Sequence, residues 1–166
     1  MDLDNENIKL GFNKASYLCS RREYCSSAIY SKLLQWKLTS EEAQLVIFQL
    51  QENKFVDDER YAMAFVRDKS KFSAWGSVKI RMALRTKKIS EDIIQMALSD
   101  LPDDRFSEQA LKEAQKKLRS LKDDDIYVIK QKLARFLFSK GFESSLVWKT
   151  VAVVTSTSVE DLGELE

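Results

Sequence analysis

The chain has 166 residues, 44% of them hydrophobic, which is enough for one domain with a sizeable core or for a short array of small repeats. Four glycines and one proline are too few for the many turns of an all-β protein and favour long helices. The sequence has no histidine, which excludes Ser-His-Asp and Cys-His catalysis, HExxH metal sites and nearly all zinc-finger spacings.

The formal net charge of +1 conceals an uneven distribution. Residues 1–8 carry three carboxylates and residues 155–166 carry four, and neither segment contains a Lys or Arg. The rest of the chain therefore carries a net charge of +8. We predict a basic folded body between two acidic, flexible ends, residues 1–12 and residues 155–166.

Residues 13–54 are predicted to form a first set of three helices. Helices over 13–19 and about 26–36 precede a third helix that opens with a capping box, in which Thr39 is the cap and Glu42 lies three residues later. Two interpretations stay open for Arg21 and Arg22. They extend an interaction surface, or one of them forms an ion pair with Glu23 or Asp57.

Residues 55–101 are predicted to form a second set of three helices. The carboxylates at its start suit the exposed N–H groups of a helix N-terminus, and we expect Asp57, Asp58 and Arg60 to order this junction. Apolar residues then recur at helical spacing as far as Phe72, which predicts an inward position for that ring. A break at 73–76 separates the next helix, and Ser90 caps the third.

Residues 102–154 are predicted to form a third set. Pro102 marks its start, because proline is tolerated only in the first turn of a helix. The first helix is predicted to end near residue 121, and the carboxylates at 123–125 open the second. That helix is predicted to end at Gly141, and the last helix opens at Ser144.

The three sets share one apolar template without a gap, at offsets of 51 and 53 residues. The matching positions are Ile29, Leu33 and Leu38, then Ile80, Leu84 and Ile89, then Leu133, Leu137 and Phe142. Coincidence among leucine-rich helices is the alternative. The template predicts an all-α fold of three tandem three-helix repeats, an elongated, curved, right-handed array of about nine helices.

The middle repeat is the most basic part of the chain. Residues 67–88 contain eight Lys or Arg residues and one Asp, and Arg81, Arg85 and Lys88 recur on one side of a helix. One interpretation is a solvated helix surface, and the other is a surface that meets phosphates or an acidic protein groove. Trp75 has two interpretations as well, packing between helices or stacking on a base.

Other sequence patterns argue against catalysis and against metal or nucleotide binding by this chain. The glycines at 11, 76, 141 and 163 form no phosphate-binding loop, and Cys19 and Cys25 alone cannot close a zinc site. The paired carboxylates at helix starts are explained as caps. We therefore predict a protein that is not an enzyme and has no metal or cofactor. Neither a signal peptide nor a membrane helix is visible, and reduced cysteines fit a cytoplasmic location.

Three blocks carry a family resemblance. YLCSRREY at 17–24, FVDDERYA at 55–62 and the segment 76–89 are similar, in order and spacing, to the RecX family of bacterial recombination regulators. The match covers about residues 15–151. Where relatives have a glutamate and a glycine in the middle repeat, this chain has Ala83 and Lys88. Lys88 must then end its helix in a left-handed conformation that glycine adopts more easily.

The resemblance implies an all-α, non-enzymatic protein that binds RecA and its filament on single-stranded DNA. It implies that filament extension, ATP hydrolysis and strand exchange are restrained during recombination, DNA repair and the SOS response. We also expect direct contact with single- or double-stranded DNA. The protein is expected to be a monomer and not to bind a membrane. The expected basic surface facing RecA or DNA comprises Arg67, Lys69, Lys71, Lys79, Arg81, Arg85, Lys87, Lys88, Lys130, Lys132, Arg135 and Lys140.

Two alternatives from other classes remain at this point. The first is a helical DNA-binding module that acts without RecA. The second is a protein-interaction scaffold whose basic faces meet an acidic partner and no DNA.

Overall fold

A computed structural model describes residues 6–123 and 125–163. Within those residues the chain forms nine α-helices and no strand. The helices are α1 (Glu6–Arg21), α2 (Ser26–Gln35), α3 (Ser40–Glu52), α4 (Asp58–Phe72), α5 (Ser77–Thr86), α6 (Glu91–Ser99), α7 (Arg105–Leu118), α8 (Ile126–Lys140) and α9 (Ser144–Gly163). The all-α prediction is confirmed for this part of the chain.

The first and last helices extend further towards the chain ends than the sequence predicts. Helix α1 begins at Glu6, seven residues before the predicted start, because Ile8 is 3% exposed and packs in a core. Helix α9 continues through Thr155, whose hydroxyl donates to the Val151 carbonyl oxygen at 2.8 Å. Residues 6–12 and 155–163 are therefore helical, so the predicted helix boundaries at the two ends were wrong, and the flexibility of the ends stays a prediction. The parts of that prediction on residues 1–5 and 164–166 lie outside the described residues.

The apolar template corresponds to buried positions in every repeat. The first two positions, Ile29 and Leu33 in the first repeat, are 0% exposed in all three repeats. The third position, occupied by Leu38, Ile89 and Phe142, is between 2% and 8% exposed. Burial of the same positions in each set confirms the repeat that the sequence predicts.

Each repeat also turns in the same way after its second helix. Lys37, Lys88 and Gly141 occupy equivalent positions and have φ angles of 72°, 59° and 83°. The next residue donates its N–H to the carbonyl oxygen five residues earlier, for example Ile89 to Leu84 at 3.2 Å. The left-handed conformation predicted for Lys88 is present. The matching conformation of Lys37 was not predicted, because a lysine rarely adopts positive φ and the sequence gives no local sign of it.

We expect Lys88→Gly to raise the free energy of unfolding by about 0.5–1 kcal/mol, since glycine adopts positive φ without the Cβ penalty. Urea unfolding at neutral pH measures the change. Lys130→Gly is the matched control, because this exposed residue lies inside α8, where glycine should cost about 1 kcal/mol. If both substitutions destabilised the protein, the positive φ of Lys88 would carry no measurable strain.

The chain divides into two compact units. The first unit comprises residues up to Ala64 together with Leu84–Ala97, and the second comprises Phe65–Ala83 together with the residues from Leu98 onward. The core of the first unit includes Ile29, Leu33, Val46 and Leu50. The second unit contains a core formed by α7, α8 and α9, with Ala110, Ala114, Leu133, Leu137 and Val147 fully buried.

In the second unit, the start of α5 lies against the turn between α8 and α9. The Gly76 N–H donates to the Lys140 carbonyl oxygen at 2.9 Å, and the Val78 N–H donates to the Gly141 carbonyl oxygen at 3.1 Å. A Cβ on Gly76 would overlap the Gly141 carbonyl, and a Cβ on Gly141 would overlap Lys79. The backbones approach too closely for any side chain at either position.

Candidate partner-binding surface

The residues predicted to order the junction make contacts within the first unit. The Asp57 carboxylate accepts the Arg60 N–H at 2.9 Å and so caps α4. Asp58 accepts the Ser26 N–H at 2.8 Å, which supplies α2 with the cap that Cys25 lacks. These two carboxylates therefore satisfy backbone N–H groups at helix N-termini.

The ion pair with Glu23 or Asp57 that the sequence analysis considered for Arg21 or Arg22 is made instead by Arg60. Its Nε donates to Glu23 Oε1 at 2.6 Å, and its guanidinium lies 3.9 Å from Asp57. The Glu23 hydrogen bond raises the pKa of Arg60 above its usual value. Arg21 instead donates to the Tyr17 hydroxyl, and Arg22 lies over the Tyr24 ring with its Cζ 4.5 Å from the centroid.

Cys19 is half-buried beside this ion pair. Burial and then the Glu23 charge raise the pKa of the Cys19 thiol, and Arg60 opposes them by lowering it. A raised pKa leaves less thiolate at neutral pH, so the group is a poor nucleophile. Both cysteines are free thiols.

Four of the predicted surface cations are ion-paired with carboxylates. Arg67 pairs with Asp100 at 2.5 Å, Arg85 with Glu91 at 2.9 Å, Lys132 with Asp123 at 2.7 Å, and Lys140 with Glu113 at 3.6 Å. The pairs of Arg67, Arg85 and Lys132 are largely solvent-exposed, and such pairs contribute about 0–1 kcal/mol. A phosphate or a partner carboxylate can therefore compete for these three cations at little cost.

Other predicted cations lie over aromatic rings. Lys69 Nζ is 5.0 Å and Lys79 Nζ 4.8 Å from the Trp75 ring centroid, and Lys79 also donates to the Ser139 carbonyl oxygen at 3.3 Å. The Trp75 ring is half-buried and meets Phe65 edge to face, with centroids 6.4 Å apart. These contacts favour the packing interpretation of Trp75, since two ammonium groups already lie against the ring.

Lys71 and Lys87 make two similar contacts, each within one unit. Lys71 Nζ lies 5.2 Å from the Phe72 centroid in the second unit. Lys87 Nζ lies 5.8 Å from the Tyr61 centroid in the first unit.

The remaining predicted cations differ in exposure. Lys88, Lys130 and Arg135 are exposed and have no carboxylate partner among the described residues, whereas Arg81 is half-buried. Lys88 belongs to the first unit, and the other three belong to the second. Lys130 and Arg135 are thus the cations of α8 that remain most available to an anionic partner.

Phe72 was predicted to lie inward, and this was wrong. Its ring is 75% exposed at the end of α4, beside a cleft of about 530 Å³ in the second unit. A second cleft, of about 360 Å³, lies in the first unit beside Phe48, which is 60% exposed. Neither cleft was anticipated, because each brings together residues that are far apart in the sequence.

The described residues contain neither a metal-binding cluster nor a membrane-spanning helix. No group of three or more Cys, Asp or Glu side chains in residues 6–123 and 125–163 is placed to hold a metal ion. No helix in that part of the chain is long and apolar enough to cross a membrane.

Comparison with known families gives two matches. The family model for the second three-helix domain of RecX matches residues 57–98, and the model for the third matches residues 103–151. Together they cover more than half of the chain.

Individual proteins agree with these matches. A regulatory protein RecX of Clostridium botulinum (strain Alaska E43 / Type E3) is 35% identical over 157 residues, covering 87% of this chain and 73% of the relative. Another, from Clostridium botulinum (strain Eklund 17B / Type B), is 46% identical over 100 residues, which is 59% of this chain but only 46% of the relative. The crystal structure of RecX from Lactobacillus salivarius has the same fold, with a TM-score of 0.83 at 22% identity over 90% of this chain and 97% of that one.

Proposed function

Because this chain belongs to the RecX family of regulatory proteins, we propose that it binds RecA and the RecA filament on single-stranded DNA and restrains filament extension, ATP hydrolysis and strand exchange. The observation that carries the proposal is the match to regulatory relatives over 87% of the chain. The relatives' name describes a regulator, and RecA as the regulated partner comes from the resemblance of the three sequence blocks. The protein acts by binding, without a catalytic group, metal or cofactor of its own.

Electrostatics supplies the physical basis of the proposed binding. A nucleoprotein filament encloses a polyanion, and cations that displace its counterions bind with an affinity that falls as salt rises. The second unit offers exposed Lys130 and Arg135 together with Arg67 and Lys132, whose exposed ion pairs are weak. The first unit offers Lys88 and Arg85. Several weak contacts on one chain combine into an avidity that no single contact provides.

RecA-catalysed ATP hydrolysis that depends on single-stranded DNA is the most informative assay. We expect increasing amounts of this protein to inhibit hydrolysis strongly at well below one molecule per RecA, because a bound regulator blocks extension beyond its own position. Raising the salt concentration should weaken the inhibition.

Oligonucleotide binding, filament binding and ATP hydrolysis, measured on the same purified protein, distinguish the proposal from the two alternatives. A DNA-binding module that acts without RecA would bind naked oligonucleotide and filament equally, and would inhibit only when it covers the DNA. A scaffold for an acidic protein would leave labelled oligonucleotide unshifted at low salt and ATP hydrolysis unchanged. Either result would overturn the proposal.

A further inference from the structure

The exposed Phe72 ring lies on the rim of the cleft of about 530 Å³ in the second unit. The cleft is formed by the end of α4 and the segment that leads into α7, and its lining includes Leu101, Pro102 and Arg105. Phe72 is 75% exposed, although a ring of this size normally buries most of its surface. Together with the partly exposed Leu101 and the exposed Pro102, the ring forms a contiguous apolar patch in a concave surface, which is typical of an interaction site.

Only some of the cations at this cleft are paired with a carboxylate. Arg67 is paired with Asp100 at 2.5 Å. Lys71 lies over the Phe72 ring, and neither Lys71 nor the half-buried Arg105 has a carboxylate partner in the described part of the chain. Two positive charges therefore remain beside an apolar lining, opposed by one lining carboxylate, Asp68.

We propose that this cleft binds a short acidic peptide segment of a partner protein, with one apolar side chain of the peptide against Phe72, Leu101 and Pro102 and its carboxylates on Lys71 and Arg105. The volume of about 530 Å³ is within the usual range for a small binding site and accommodates a few side chains. Carboxylates suit the planar guanidinium fork of Arg105, which is pre-organised for two parallel hydrogen bonds.

A nucleic-acid strand fits this cleft less well than a peptide. Asp68 and Asp100 flank the two available cations, and Asp103 and Asp104 are exposed in the turn just before α7. A strand with one phosphate per nucleotide would meet these carboxylates as well as the cations. A peptide can place one or two carboxylates on the cations and an apolar side chain on the ring. The cleft shares Arg67 with the cations proposed to meet the filament, but its test contains no RecA, so the two proposals can fail independently.

Fluorescence anisotropy on the full chain tests the proposal. The probe is a labelled hexapeptide with Leu-Phe at its centre, one acidic residue on each side of it and a glycine at each end, and the control peptide has the corresponding amides. We expect saturable binding of the acidic probe with a dissociation constant below about 1 mM, and at least fivefold weaker binding of the amide peptide. Absence of saturable binding, or equal binding of both peptides, would overturn the proposal.

Variants locate the site. We expect Phe72→Ser and Arg105→Glu each to weaken binding of the acidic probe about tenfold, the effect of losing one anchor at an interface. Phe48→Ser removes another exposed ring, 60% exposed, from the first unit, and Lys112→Glu removes an exposed cation from α7 outside the cleft. Both controls should bind the probe as the parent chain does. Unchanged binding by the two cleft variants, or displacement of the peptide by an equal concentration of oligothymidylate, would refute peptide binding at this cleft.

Discussion

Replacing Gly141 with alanine is expected to lower the free energy of unfolding by about 2–4 kcal/mol, the largest stability effect that we predict for a single methyl group in this chain. Two costs add. Gly141 has φ of 83°, where an L-residue loses about 1–2 kcal/mol. A new Cβ would also lie 2.7 Å from the Lys79 backbone nitrogen, and overpacking of this kind costs about 1–3 kcal/mol. Urea unfolding followed by circular dichroism measures the loss.

Gly11 provides the matched control for this substitution. It is buried in α1, and a Cβ there would meet the Cδ2 atom of Leu38 at 2.8 Å. That atom ends a side chain that can adjust, and the helical conformation suits alanine, which gains up to about 1 kcal/mol over glycine in a helix. We expect Gly11→Ala to change stability by less than half the Gly141→Ala effect. Equal losses at the two positions would mean that the close backbone approach at Gly141 carries no special cost.

The fold was predictable because its main determinants are local. The Thr39–Glu42 capping box and the glycine after α8 each involve residues within about one turn of a helix, and the apolar template spans only ten residues in each repeat. The capping box is confirmed, with the Thr39 N–H donating to Glu42 at 2.8 Å. The start of α1 was missed because three carboxylates in residues 1–8 were taken as the dominant signal, whereas Ile8 and Ala15 already mark a buried helix side.

The surface was less predictable because its contacts are long-range. Arg60 reaches Glu23 across 37 residues, and Arg67 reaches Asp100 across 33. A single sequence indicates that these residues are charged, but not which opposite charge each one meets. Phe72 fits the helical period of α4, yet it lies in the last position of that helix, where periodicity does not report whether a neighbouring element covers the ring.

Reversing two charges on α8 is expected to have the largest effect on the proposed regulation of RecA. The variant is Lys130→Glu with Arg135→Glu, two exposed residues without a carboxylate partner in the described residues. We expect the concentration that half-inhibits RecA-catalysed ATP hydrolysis to rise at least tenfold, because each reversal replaces an attraction to the filament with a repulsion. The slope of log affinity against log salt concentration should become shallower by about one to two, as one or two anionic contacts are lost.

Lys112→Glu with Lys116→Glu is the matched control for this double reversal. Both lysines are exposed on α7 in the same unit, and the net charge of the chain changes by the same amount. If inhibition depended only on the total charge, the two double variants would lose it equally. If α8 contacts the filament, the control keeps nearly all of its inhibition and its salt dependence, while both variants unfold at the same urea concentration as the parent. Equal behaviour of the two variants would remove α8 from the proposed surface and leave non-specific attraction as the explanation for its cations.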